Sequence, residues 1–218
     1  MSGQTLSQNG QASHPPPLRE LPQDRVDRPL AGFARDYTGE DSVPRHVHGR
    51  AQLLYATRGV MRIMTDEAAF VVPPGRALWV PAGTPHAVGI EAQLAMRALF
   101  LRQDAAQAGP RATTVLAVSP LLHELILAAC AEPLEWDEQG RGGHLAALIL
   151  DEIARAPTLP LGVPEPRDAR LKRLAEALRA DPASALTLES WAGQVGASAR
   201  TLRRLFQAET GMGFARWR

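Results

Sequence analysis

The sequence predicts an α+β chain: an antiparallel β-barrel or sandwich first, helices next, and a basic pair of short helices last. Three observations predict it. Residues 32–101 hold short β-type runs broken by turns, with no helical stretch between them. Beyond Ser119 the apolar spacing changes from two to about 3.6 residues. Pro157, Pro160, Pro164 and Pro166 then interrupt the chain before helical spacing resumes at Asp168.

A chain of 218 residues is long enough for two compact units with their own cores. Its 45% hydrophobic and 22% charged fractions are those of an ordinary soluble protein. No apolar run approaches the roughly 18 residues that span a bilayer, which excludes a membrane partner of that kind. The first ten residues lack a basic n-region and an apolar h-region, so a cytoplasmic location is expected. Cys130 is the only cysteine, which excludes an internal disulfide or a Cys-rich zinc site; set among Leu125, Ile126, Leu127, Ala128 and Ala129, it reads as a buried structural thiol. The whole chain carries +1, yet residues 168–218 hold nine Lys and Arg against five Asp and Glu. That terminal excess suits a module that binds phosphates.

Taken in order, residues 1–24 are rich in Gln, Ser and Pro and are expected to be a disordered tail. Residues 25–110 form the barrel, with strands at 52–57, 60–65, 69–72, 77–80 and 94–101 and turns at Arg58-Gly59 and Pro73-Pro74-Gly75. Residues 111–156 are helical. Ser119-Pro120 is an N-cap with a first-turn proline, followed by Leu121, Leu122, Leu125, Ile126 and Ala129 on one stripe. A second helix runs over 143–156 with Leu145, Leu148, Ile149, Glu152 and Ile153 similarly placed. These two amphipathic helices pack on the barrel or on a second subunit, and a homodimer is expected. Residues 157–167 read as an interdomain linker, and 168–218 as an incomplete helix-turn-helix domain whose first helix is capped by Asp168.

Within that last domain, Thr187 and Ser198 are placed to cap two short helices across a turn at Gly196. Leu188, Trp191, Ala192, Val195, Leu202, Leu205 and Phe206 supply a small core. Arg200, Arg203, Arg204 and Gln207 recur at i, i+3, i+4 and i+7 on the opposite side of the second helix. One face packs, and the other can enter the major groove of double-stranded DNA, with Ser198 at its leading end. Arg reads guanine O6 and N7, and Gln reads adenine N6 and N7.

The other chemical cluster is of histidines. One segment reads Gly39-(x6)-His46-x-His48-x3-Gln52-x6-Gly59 and another Gly75-x5-Pro81-x-Gly83-x2-His86. In an extended chain His46 and His48 point the same way, and His86 can reach them from another strand. Three imidazoles with open positions suit a divalent transition metal, Ni²⁺, Zn²⁺, Cu²⁺ or Fe²⁺, rather than Mg²⁺ or Ca²⁺. The same side chains could instead line a small-molecule pocket. His14, His123 and His144 have no comparable setting.

The two histidine segments resemble the motifs of the cupin family, which folds as a small β-barrel or jelly roll. The resemblance implies a metal site of His46, His48 and His86, with Gln52 where the family carries Glu and Ile90 where it carries Asn. A neutral Gln is a weaker partner for a cation than a carboxylate. Residues 186–211 are similar to the first helix-turn-helix of the AraC/XylS family of transcription regulators, through Leu186-Thr187-Leu188, Ala192, Gly196, Ser198, Arg200, Leu202, Arg204, Phe206 and Gly211. That resemblance implies a cupin-like sensor, dimerising helices and a DNA reader in the order found here. It also implies a second reader, beyond a long joining helix, that would begin about where this sequence stops. A single reader is therefore expected, weaker and steeply salt-dependent, with Phe214 and Trp217 short of packing partners. The function implied is a non-enzymatic regulator answering a metal ion or small molecule. The alternatives are a metal-dependent cupin dioxygenase or isomerase, opposed by the lack of a second-shell carboxylate near the histidines, and a truncated modulator that dimerises with full-length relatives.

Overall fold

The computed structural model describes residues 20–218; residues 1–19, with most of the expected tail and His14, lie outside the described residues. A short helix α1 (Pro22–Arg25) leads into strands β1 (Leu30–Tyr37), β2 (Asp41–His46), β3 (Ala51–Arg58), β4 (Met61–Thr65), β5 (Ala68–Val72), β6 (Arg76–Val80), β7 (His86–Ile90), β8 (Leu94–Leu101) and β9 (Thr114–Ala117). Two further short strands, β10 (Thr158–Leu159) and β11 (Gly162–Pro164), follow the helical region. The strands form two antiparallel sheets in the orders β1-β8-β3-β6-β9-β10 and β11-β5-β4-β7-β2. Such a two-sheet jelly roll is the architecture expected of the first half of the chain.

Burial follows from which faces are covered. In β4 and β7 every second residue is buried, the alternation of a sheet with one solvated face. Strand β3 is buried over its first six residues and β8 over nearly all of its length, because helices cover their second face. Met61, Ile63, Val72, Val80 and Leu94 lie between the sheets and are essentially inaccessible.

Helices α2 (Pro120–Ala131) and α3 (Arg141–Arg155) supply that cover. Ser119 caps α2 by accepting from the Leu122 amide at 3.0 Å. Leu122, Leu125, Ile126 and Ala129 face the first sheet, and the Tyr55 hydroxyl hydrogen-bonds His123 Nδ1 at 2.6 Å to pin α2 onto β3. Gly32 permits the approach: a Cβ there would sit 2.6 Å from Cys130 Cα. Leu121 and Leu148 depart from the expected stripes and are half exposed. Leu148 lies about 100° round the helix from buried Ile149, outside the covered arc.

Two expected boundaries need correction. The barrel does not end at 110, since β9 pairs with β6, Leu78 opposite Val115. Nor are residues 157–167 a free linker: β10 extends the first sheet through β9, and β11 extends the second through β5. Prolines are tolerated there because edge strands leave one row of ladder positions unused.

Four helices complete the chain: α4 (Ala169–Ala180), α5 (Leu188–Val195), α6 (Ala199–Thr210) and α7 (Phe214–Trp217). Asp168, Thr187 and Ser198 each accept a hydrogen bond from a first-turn amide, as their positions predict. Gly196 ends α5 at φ 70°, in the left-handed region. Leu171, Leu174, Leu178, Trp191, Leu202 and Phe206 form the core. The expectation of an unpacked end is overturned: the Phe214 and Trp217 rings lie 5.5 and 5.6 Å from that of Phe206. Trp217 Nε1 also donates to Pro164 O at 2.8 Å, so β11 gives the end of the chain a partner that local sequence does not reveal. Among the described residues, no helix is long and apolar enough to cross a membrane.

Candidate functional site

The site lies between the sheets, where the end of β2 meets β7 and β3. His46 stands opposite His86 in the β2–β7 ladder, beside a bulge between Val43 and His46. Pro44 sits in that bulge, where its missing N–H breaks regular pairing. His48 follows just beyond β2, and its carbonyl accepts from the Gly83 amide at 2.9 Å. That one backbone bond ties the loop preceding His86 to the segment carrying the other two histidines.

The three rings converge as their spacing predicts. Centroids are 4.8 Å apart for His46 and His48, 4.4 Å for His46 and His86, and 5.9 Å for His48 and His86. All three side chains are buried, and their potential ligand atoms lie within 4.8 Å of one another. Such a cluster can hold a metal ion. Each Nδ1 faces an oxygen: Pro44 O at 2.7 Å from His46, Asp24 Oδ2 at 2.9 Å from His48, and Thr84 O at 3.0 Å from His86. Carbonyl and carboxylate oxygens accept, so each Nδ1 donates, and Nε2 is the ring nitrogen left to face the centre of the cluster.

Gln52, on β3, is buried beside the rings, and its Oε1 has no hydrogen-bond partner. An orphaned buried oxygen next to three imidazoles fits a cation, which such an oxygen can ligate in place of water. The cavity they share with Leu21, Phe33, Tyr37 and Phe100 measures about 30 Å³. Ile90, by contrast, packs in the core away from this cavity.

Asp24 corrects the expectation that no carboxylate supports the histidines. Its side chain is 7% exposed, and its Oδ2 accepts from both His48 Nδ1 and the Leu21 amide. Sequence reasoning assigned Asp24 to the tail. The local signal was the Pro22 start with Asp24 in the first turn, an N-terminal pattern of a helix too short to show periodicity. Arg50 was also missed; it donates to the carbonyls of Asp24, Val26 and Arg28 and holds that segment down.

The second set of expected site residues lies on α6 and its N-cap. Arg200, Arg203, Arg204 and Gln207 are exposed along one face of α6, opposite buried Leu202 and Phe206. Ser198 is exposed at the start of that helix, accepting from the Thr201 amide at 3.1 Å. Two of the polar side chains are engaged within the unit: Arg203 pairs with Glu189 of α5, and Gln207 Nε2 donates to Gly211 O at 3.2 Å. Cys130 lies against β1 and β8, and burial pushes its thiol up to about 11, leaving little thiolate for chemistry.

A family profile described as the AraC-like ligand-binding domain matches residues 29–190, from the barrel into the start of α5. The chain belongs to that family. It is 30% identical over 181 residues to the HTH-type transcriptional regulator NimR of Escherichia coli, covering 83% of this chain and 66% of NimR. It is 47% identical over 74 residues to the HTH-type transcriptional regulator RipA of Corynebacterium glutamicum, covering 34% of this chain and 20% of RipA. The chain thus spans under two thirds of the length of either relative. Fatty-acid-bound ToxT of Vibrio cholerae superposes with a TM-score of 0.42 at 7% identity, over 92% of this chain and 78% of ToxT.

Proposed function

We propose that the chain is a ligand-responsive transcription regulator: its barrel takes a divalent transition metal ion, and its carboxyl-terminal helices read double-stranded DNA. The observation that carries this is the convergence of His46, His48 and His86, each oriented through Nδ1, inside a domain of a ligand-binding family. His46, His48 and His86 would hold the ion through Nε2, with Gln52 Oε1 as the fourth group. A bound ion would supply fixed positive charge where the three imidazoles and Gln52 meet. Ni²⁺, Zn²⁺, Cu²⁺ and Fe²⁺ match the imidazole-rich donor set. The cavity of about 30 Å³ favours an ion with its water over a bulkier effector.

On the DNA side, Ser198, Arg200, Arg203, Arg204 and Gln207 would face the major groove or its phosphates. The kinship with regulators named for a helix-turn-helix supports that role. Half-exposed Leu121 and Leu148 on α2 and α3 offer an apolar surface for a homodimer, which would present two readers. Such a protein works beside DNA in the cytoplasm and catalyses nothing. The cupin-enzyme alternative gains Asp24, yet that carboxylate already binds His48 and the Leu21 amide.

The test is titration of purified protein with Ni²⁺, Zn²⁺, Cu²⁺ and Fe²⁺, with parallel promoter-binding assays. His46→Ala, His48→Ala and His86→Ala should each abolish tight metal uptake, and Arg203→Ala or Arg204→Ala should weaken DNA binding by about 1–3 kcal/mol while sparing the metal. Unchanged uptake in all three histidine variants sinks the metal assignment. Unchanged DNA binding in both arginine variants sinks the groove assignment.

A further inference from the structure

We propose that Asp24 is a positioning residue of the histidine site, so that a metal ion bound there also fastens residues 21–28 onto the barrel. The proposal rests on the assignment of His46, His48 and His86 as metal-holding side chains.

The three histidines are not held alike. His46 and His86 each donate Nδ1–H to a carbonyl two residues upstream, a contact that their own loops guarantee. His48 Nδ1 donates to a side chain, Asp24, from a segment 24 residues earlier in the chain. Its ring orientation therefore depends on where that segment sits.

Residues 21–28 in turn depend on the site. Leu21 lines the cavity, and Asp24 anchors the middle of the segment through His48. Arg50 clamps the rest by donating to Asp24 O at 3.2 Å, to Arg28 O at 2.8 Å and to Val26 O. Thus the segment, with Leu21 lining the histidine cavity, has one fastening to the ligand set through His48 and another to the Arg50 side chain.

Charge gives the coupling its direction. Among the described residues, no carboxylate lines the cavity, whose polar groups are the three imidazoles, Gln52 and Tyr37. Asp24 stands one imidazole away from a cation bound there. Its Oδ1 is buried with no hydrogen-bond partner, so the carboxylate is incompletely satisfied. A cation on His48 Nε2 polarises the ring, strengthens the Nδ1–H donor and compensates that buried charge. Whatever factor Asp24 contributes to metal affinity, the metal returns to the docking of the segment.

The experiment uses the full chain, Zn²⁺ and Ni²⁺, and the variants Asp24→Asn and Asp24→Ala. Both variants should weaken metal binding about 10–100-fold, the usual effect of losing such an outer partner. Metal should slow tryptic cleavage after exposed Arg25 in the wild type and have little effect in either variant. In the metal-free protein, ¹⁵N spectra of the imidazoles should show all three rings protonated at Nδ1, with only His48 changed in Asp24→Ala. If wild type and variants bind metal equally, the proposal fails and the histidine assignment stands. If wild-type protein binds no metal, that assignment fails and takes the proposal with it. Loss of affinity with all three rings disturbed together would mark Asp24 as a general strut and overturn the positioning role.

Discussion

The barrel site and the α6 face hold their candidate functional groups in opposite ways. In the barrel, His46, His48, His86 and Gln52 are buried, and each ring is oriented by a hydrogen bond to a fixed acceptor. On α6, Arg200, Arg203, Arg204 and Gln207 are exposed along one face of a helix whose other face packs into the core. Burial suits a small ion, because desolvated donors need not be freed of water and rotamer entropy is already lost. Exposure suits a polyanion, whose long-range field can recruit mobile cationic side chains. Under the proposed function, rigidity sits where the partner is small, and adaptability where the partner is large.

Three substitutions break or sharpen that contrast. The largest effect is expected from Phe206→Ala, which empties the centre of the carboxyl-terminal core, where Phe206 is fully buried against Phe214 and Trp217. It should destabilise that unit by about 3–5 kcal/mol and abolish DNA binding while metal uptake by the barrel persists. Differential scanning calorimetry with metal titration checks this; equal loss in both assays would mean that the two regions melt as one.

Gln52→Leu should act in the opposite sense. It removes an oxygen that is buried without a partner, so the metal-free barrel should gain about 1–3 kcal/mol in urea denaturation while its metal affinity falls. Lower stability of the metal-free variant would show that Oε1 is satisfied after all and would weaken the case for a waiting cation site.

The smallest effect concerns pH and is confined to the carboxyl-terminal unit. The Arg170 guanidinium beside Asp168 holds that helix-capping carboxyl down, from 3.8 to about 2. A carboxyl lowered by folding contributes stability above its unfolded value and loses it as the pH falls through its folded one. The melting temperature of this unit should therefore drop between about pH 4 and pH 2, and Asp168→Asn should flatten the drop without altering the barrel. A steep acid transition that persists in Asp168→Asn would place its origin elsewhere.

Much of this arrangement was legible before any coordinates. Ser119, Asp168, Thr187 and Ser198 cap the helices that they were expected to cap, because a capping hydroxyl or carboxylate acts within three residues of its target. The exposed basic face of α6 follows from periodicity alone. His46, His48 and His86 were legible as a group through spacing and resemblance. Asp24 was not, because a four-residue helix has no period and Asp24 meets His48 only after two segments pack. Nor were β10 and β11, since four prolines in a short span read locally as a breaker and only the exposed sheet edges turn them into strands. Trp217 belongs with them, as its partner Pro164 lies 53 residues earlier.

By itself, then, the sequence determined what is settled within a turn or two of the backbone: the period of each element, the caps, the face each helix turns to water, and the residue types available for chemistry. Tertiary structure alone decided which distant segments meet, and so which carboxylate orients His48, how the proline-rich stretch closes both sheets, and where the chain's last tryptophan rests. The physical reason is that helices and turns are governed by hydrogen bonds and sterics between near neighbours, whereas apolar strands of similar composition can pair in many ways until shared burial selects one.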